Sequence, residues 1–204
     1  MFTAYDVATP PDEETRKNVP DPQMAYAVSK ILAHVAASKY VEKHKVNYDL
    51  VRVLPGYVQG ANELYTSAAD MRDPAKVGSN EGVMGTALGW TKGQPRITGQ
   101  VLLEDVAKAH VLALKPEVAK HGDHLFCAGN DGKSTPWSEW ATKIEQKYPD
   151  AVKKGILKPK INDPDWIING DVSGTEKALG FKFAGTDEML ANVIDQYISL
   201  ASSE

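Results

Sequence analysis

The run YDLVRVLPG, at 48–56, is short, β-branched and stopped by a Pro-Gly pair, so it reads as one buried strand. Two further runs repeat the pattern with helices between them. GQVLLEDVAKAHVLALK passes from a strand into a helix with Glu104 and Asp105 in its first turn, where carboxylates suit the helix dipole, and DHLFCAG is a strand again. Strands alternating with helical segments specify an α/β fold with a largely parallel sheet. Only three or four convincing strands are present, counting a short one at WIING, so the sheet is expected to be incomplete.

The remaining segments are helical or irregular. Residues 1–20 carry TPPDEE and NVPDP and are expected to form an irregular lead-in to a domain spanning 21–204. Asp21 and Pro22 look like the cap and first turn of a long helix running to about Lys45. Short helices are expected near NELYTSAADM and EGVMGTALGWT. STPWSEWATKIEQKY places Trp137, Trp140 and Ile144 on one side of a helix, VSGTEKALG ends at Gly180, and TDEMLANVIDQYISLA closes the chain as an amphipathic helix.

Composition narrows the function. The chain has 204 residues, 42% hydrophobic and 25% charged, which is ordinary for a globular domain with one sizeable core. A formal net charge of -4 without a basic run argues against a nucleic-acid partner. No stretch approaches the roughly 20 apolar residues of a membrane span, and no apolar leader opens the chain, so a cytoplasmic protein is expected. Cys127, alone and in an apolar strand, reads as a buried, inert thiol.

The chemistry centres on MAYAVSKILAHV, at 24–35. On a helical wheel Val28, Ile31, Leu32 and Val35 form one apolar stripe, while Tyr26, Lys30 and His34 fall away from it. A lysine ammonium one turn from a phenol favours the phenolate and suits acid–base work. His34, two turns from Tyr26, is a further acid–base candidate at the opposite end of one pocket. Tyr57, Tyr65 and Trp137 are candidates to line an aromatic substrate pocket, although Trp137 and Trp140 three apart also suit a core. His121, Asp123 and His124 lack a third strong ligand nearby, His110 reads as a structural histidine, and no metal is expected.

A lone Tyr-x-x-x-Lys is weak, but its sequel is specific. YAVSKILAH, then LVRVLPGYVQG, then VLLEDVAKAHVLAL, then HLFCAG resembles the extended short-chain dehydrogenase/reductase family over about residues 20–200. The branch it is most similar to holds dihydroflavonol, cinnamoyl-CoA and fungal aldehyde or ketone reductases. The resemblance implies an incomplete Rossmann-like parallel sheet with a small mixed α/β substrate lobe. It makes Tyr26 the proton donor, Lys30 its helper and Ser29 the residue before that lysine. It puts Tyr26, Lys30, Pro55 and Val58 at the nicotinamide end of a cofactor, the lysine bonding its ribose, and gives Asp105 a structural role. His34 departs from the glutamate often found there.

The family's glycine-rich turn from strand to helix is missing upstream, and GVMGTALG lacks a preceding strand. Thr3 is a candidate remnant of the family's catalytic serine or threonine. The chain alone is therefore expected to bind no cofactor, with NADP(H) or NAD(H) bound only if a separate half complements it. Three functions follow: cofactor-independent isomerisation, dehydration or cyclisation of a small carbonyl compound; a complemented NAD(P)H-dependent reductase or epimerase; and a non-enzymatic scaffold. The first is favoured here, with a place in secondary metabolism suggested by the family. A homodimer is expected through the exposed sheet edge or the helix carrying Tyr26.

Overall fold

Asp12 opens the described chain's first helix, its carboxylate accepting the Thr15 N–H at 2.7 Å. This computed structural model describes residues 9–19, 22–161 and 163–203. Helix α1 (Glu13–Lys17) corrects the irregular lead-in: Asp12 and two glutamates in the first turn are a helix start that the neighbouring prolines obscure. Asp21 and Thr3 lie outside the described residues. Helix α2 (Pro22–Lys43) follows, and Val28, Ile31, Leu32 and Val35 turn inward as half-buried groups. No residue of α2 is buried, so the helix rests on the body through a shallow seam.

The sheet is built from short strands in parallel pairs. β1 (Arg52–Pro55) and β2 (Tyr57–Gln59) are one extended run that changes partner at Gly56. The Gly56 N–H donates to the Cys127 carbonyl and the Tyr57 N–H to the Gly99 carbonyl. A side chain at Gly56 would strike the Gly99 carbonyl, which explains the glycine. β3 (Arg96–Ile97) and β4 (Gln100–Leu102) come next, with β5 (His124–Cys127) and β6 (Asp165–Trp166). β1 runs parallel to β5 with Val53 opposite Leu125; β2 to β4 with Val58 opposite Val101; β3 to β6 with Arg96 opposite Asp165. β6 lies just ahead of most of the expected WIING strand.

Two cores result. α5 (Leu103–Ala113) and α8 (Ser173–Leu179) pack with the strands around Val101, Ala109, Leu125 and Cys127. The second core belongs to a helical lobe of α3 (Ala68–Arg72), α4 (Glu81–Leu88), α6 (Trp137–Lys147), α7 (Pro149–Lys153) and α9 (Thr186–Ala201). Trp137, Trp140, Ile144, Leu190 and Ile194 fill it. The β3–β6 pair beside these helices makes the lobe a mixed one.

Two polar contacts tie sheet to lobe. Asp105, on α5, accepts the Ala184 N–H at 2.7 Å, as its expected structural role requires. Asn192, on α9, accepts the Ala61 N–H and donates to Glu104, strapping the segment after β2. The Cys127 thiol is fully buried and pushed up to about 12 by burial and the nearby Asp105 carboxylate, leaving no thiolate near neutrality. No helix among the described residues is long and apolar enough to cross a membrane.

Candidate active site

A cavity of about 680 Å³ opens between the strands and the helical lobe. Its walls include Pro55 at the end of β1, Ile97 at the end of β3, and Phe126 in β5. Ligand sites in parallel α/β folds gather where strands end and loops begin. α2 supplies Tyr26 at the margin, 64% exposed, and β2 supplies Tyr57 and Val58. Trp137 forms part of the wall from the first turn of α6 and is itself buried. Its indole N–H donates to the Ile97 carbonyl at 3.2 Å, and its backbone N–H donates to the Asp165 carboxylate.

The sequence candidates divide on this geometry. Tyr26, Pro55, Tyr57, Val58 and Trp137 face one space. Lys30 does not line it; its Nζ lies 5.2 Å from the Tyr26 ring centroid. The Ser29 hydroxyl donates to the Tyr26 carbonyl at 2.7 Å, a contact within the helix. Tyr65 lies away from the cavity, buried in the helical lobe with its hydroxyl donating to the Val77 carbonyl.

His34 is also elsewhere, correcting its placement in one pocket with Tyr26. It meets His124 edge to face, ring centroids 5.1 Å apart, at the seam where α2 crosses the start of β5. Partial burial, with Arg52 and His124 beside it, holds the His34 imidazole below its ordinary range. Arg52 also donates to the Ser38 hydroxyl at 2.7 Å, so this cluster secures α2 to the sheet.

The other histidines point to separate partners. His121 Nδ1 accepts from the Leu50 N–H, Asp123 accepts the Lys120 N–H, and His110 bonds the Val106 carbonyl one turn back. Among the described residues no group of three such side chains is placed to hold a metal ion.

Four charged residues missed in the sequence shape the cavity. Glu81 and Lys92 line it as an ion pair at 2.5 Å. Arg96 lines it too, donating from Nε to Asp163 at 2.8 Å and from Nη2 to the Trp90 carbonyl. The Asp163 carboxylate also accepts the backbone N–H groups of Lys92 and Gly93. Burial alone would raise Asp163, but these three donors outweigh it and hold the carboxyl below its usual range. Burial, and the Glu81 carboxylate nearby, push the Tyr57 phenol up.

A parallel α/β body with a tyrosine-bearing helix and a cavity-forming lobe is a Rossmann-like architecture. Yeast Gre2, a methylglyoxal/isovaleraldehyde reductase solved with NADPH, superposes with a TM-score of 0.72 at 24% identity over 96% of this chain and 56% of its own. Gre2 from Candida albicans with NADPH gives 0.73 at 19% identity over 97% of this chain and 57% of its own. Among curated proteins, ketoreductase CTB6 of Cercospora beticola is 31% identical over 189 residues, covering 89% of this chain and 50% of its own length. Tetraketide alpha-pyrone reductase 1 of Arabidopsis thaliana is 29% identical, over 87% of this chain and 50% of its own. These likenesses support the resemblance of the chain to the extended short-chain dehydrogenase/reductase family. It spans about half the length of the curated relatives it matches. No protein-family model matches the sequence.

Proposed function

We propose that this chain provides the substrate lobe and the proton-donating tyrosine of an NAD(P)H-dependent ketone reductase, working with a dinucleotide-binding half. The observation that carries this reading is the meeting of Tyr26, Pro55 and Val58 on one cavity, three of the four positions, with Lys30 the fourth, that the family places at the reacting end of its cofactor. The fit is to the nicotinamide end: among the described residues no glycine-rich turn leads from a strand into a helix to cradle a pyrophosphate. The names of relatives such as ketoreductase CTB6 support reduction over the isomerase, lyase or cyclase chemistry expected from the sequence.

A bound reduced nicotinamide would supply hydride to a carbonyl carbon. Tyr26 donates its phenolic proton to the carbonyl oxygen, so that ketone, hydride and proton become an alcohol. Lys30 packs its ammonium over the tyrosine ring and positions it. Phe126, Ile97 and Trp137 hold the substrate's carbon frame and exclude water. A homodimer formed along β1, which pairs only with β5 among the described residues, belongs to the same proposal.

The test joins this chain to the N-terminal half of ketoreductase CTB6 and follows NADPH oxidation with an aromatic ketone, with solution mass measured alongside. Ketone-dependent oxidation that Tyr26→Phe removes is the expected result. Conversion of a carbonyl compound without NADPH would overturn it in favour of cofactor-independent chemistry, and micromolar NADPH binding by the chain alone would overturn the need for a second half.

A further inference from the structure

Tyr57 and Glu81 face the cavity with unused hydrogen-bonding capacity. Among the described residues the Tyr57 hydroxyl makes no hydrogen bond, and only Glu81 Oε2 is engaged, by Lys92. Both line the same cavity, Tyr57 from the start of β2 and Glu81 from the first residue of α4. The rest of the cavity offers mainly carbon from Pro55, Ile97, Phe126, Trp137 and Ile168.

The nearby cations are already matched. Lys92 pairs with Glu81, while Arg96 pairs with Asp163 and the Trp90 carbonyl. Asp163 grips the Lys92 and Gly93 N–H groups, fixing the backbone from which Lys92 reaches Glu81. Glu81 is thus an oriented acceptor on the same cavity as a phenol that both donates and accepts.

We propose that Glu81, with Tyr57 on the same cavity, selects ketones that carry a hydroxyl group remote from the reacting carbonyl; this rests on the reading that the cavity takes a ketone. One hydroxyl satisfies the pair: it donates to the free Glu81 oxygen and accepts from the Tyr57 O–H. A ketone lacking it covers both polar groups with carbon and leaves them without water or partner. A carboxylate in the same place meets Glu81 charge against charge, with no unmatched cation to offset it.

The experiment measures binding of 6-hydroxy-1-tetralone and 1-tetralone to this chain by calorimetry and tryptophan quenching. These neutral aromatic ketones differ by one hydroxyl. The hydroxylated probe is expected to bind at least about tenfold more tightly, as a site built to hydrogen-bond a hydroxyl discriminates against its absence. Glu81→Leu should bring the affinity ratio to about one, since the charge-assisted bond to the hydroxyl is lost. Tyr57→Phe, which removes one oxygen, should lower the ratio severalfold and serves should the Glu81 variant misfold. Equal affinities, binding of neither probe, or a ratio unchanged in both variants would overturn the assignment. Turnover in the complemented protein is read separately: equal probe affinities with NADPH-dependent turnover intact sink the Glu81 assignment alone, and a hydroxyl preference without turnover sinks the reductase reading alone.

Discussion

Lys30 Nζ stands 5.2 Å from the centroid of the Tyr26 ring, and of the two residues only the tyrosine lines the cavity. In the proposed reaction Tyr26 is the group that meets the substrate, and Lys30 acts through it. Tyr26→Phe should lower turnover of the complemented protein by about 10²–10⁴-fold, the range for loss of a general acid. Lys30→Met should give a smaller loss, checked by kcat of the complemented protein.

Asp163 holds Arg96 and two backbone N–H groups in a buried site. Asp163→Ala leaves a buried guanidinium unmatched and should destabilise the fold by about 3–5 kcal/mol in urea titration. Replacing both partners, as Asp163→Leu with Arg96→Met, should recover much of that loss, because the isolated charge goes with its partner.

Asp70 gives a pH dependence. It completes a capping box with Ser67 at the start of α3. Hydrogen bonds from Thr66, Ser67 and Lys76 hold its carboxyl at about 2. A carboxyl lower in the folded than in the unfolded chain adds stability fully present above its unfolded value near 3.8 and lost as pH falls toward 2. Denaturation midpoints should therefore fall more steeply for the wild type than for Asp70→Asn between pH 4 and 2, and run parallel above pH 5.

Gly82 makes room for the Trp137 ring: an added β-carbon would overlap the far edge of the indole. Gly82→Ala should displace Trp137, narrow the cavity and cost about 1–3 kcal/mol through overpacking. A shifted tryptophan emission spectrum with weakened 1-tetralone binding checks this.

Gln59 is fully buried on β2 with neither side-chain amide atom hydrogen-bonded. Gln59→Leu removes an unpaired amide and should raise stability by about 1–3 kcal/mol, seen as a higher melting temperature.

The α/β class, α2, and the strands that became β1, β4 and β5 were legible because runs such as LVRVLP state their periodicity locally. Tyr26 was put forward from helix spacing and Trp137 from aromatic content, and both line the cavity, Trp137 while also filling the core. Two-residue strands such as β3 and β6 have no period to read and arise only when the lobe brings them together. Arg96 and Asp163 stand 67 positions apart with no motif joining them. His34 misled because a wheel separates polar from apolar positions but does not show where β5 begins; at the flank of a shallow stripe, His34 meets His124 instead of the cavity.

The absence of any buried residue on α2 has an energetic consequence. α9 buries Met189, Leu190, Val193, Ile194 and Tyr197, so its amide protons should exchange only through extensive opening, whereas α2 has little apolar contact to lose. Proton exchange should therefore be faster along the helix that carries Tyr26 than along α9. Under the proposed reaction, the population of molecules with Tyr26 correctly aimed is a local equilibrium, separable from the stability of the fold as a whole.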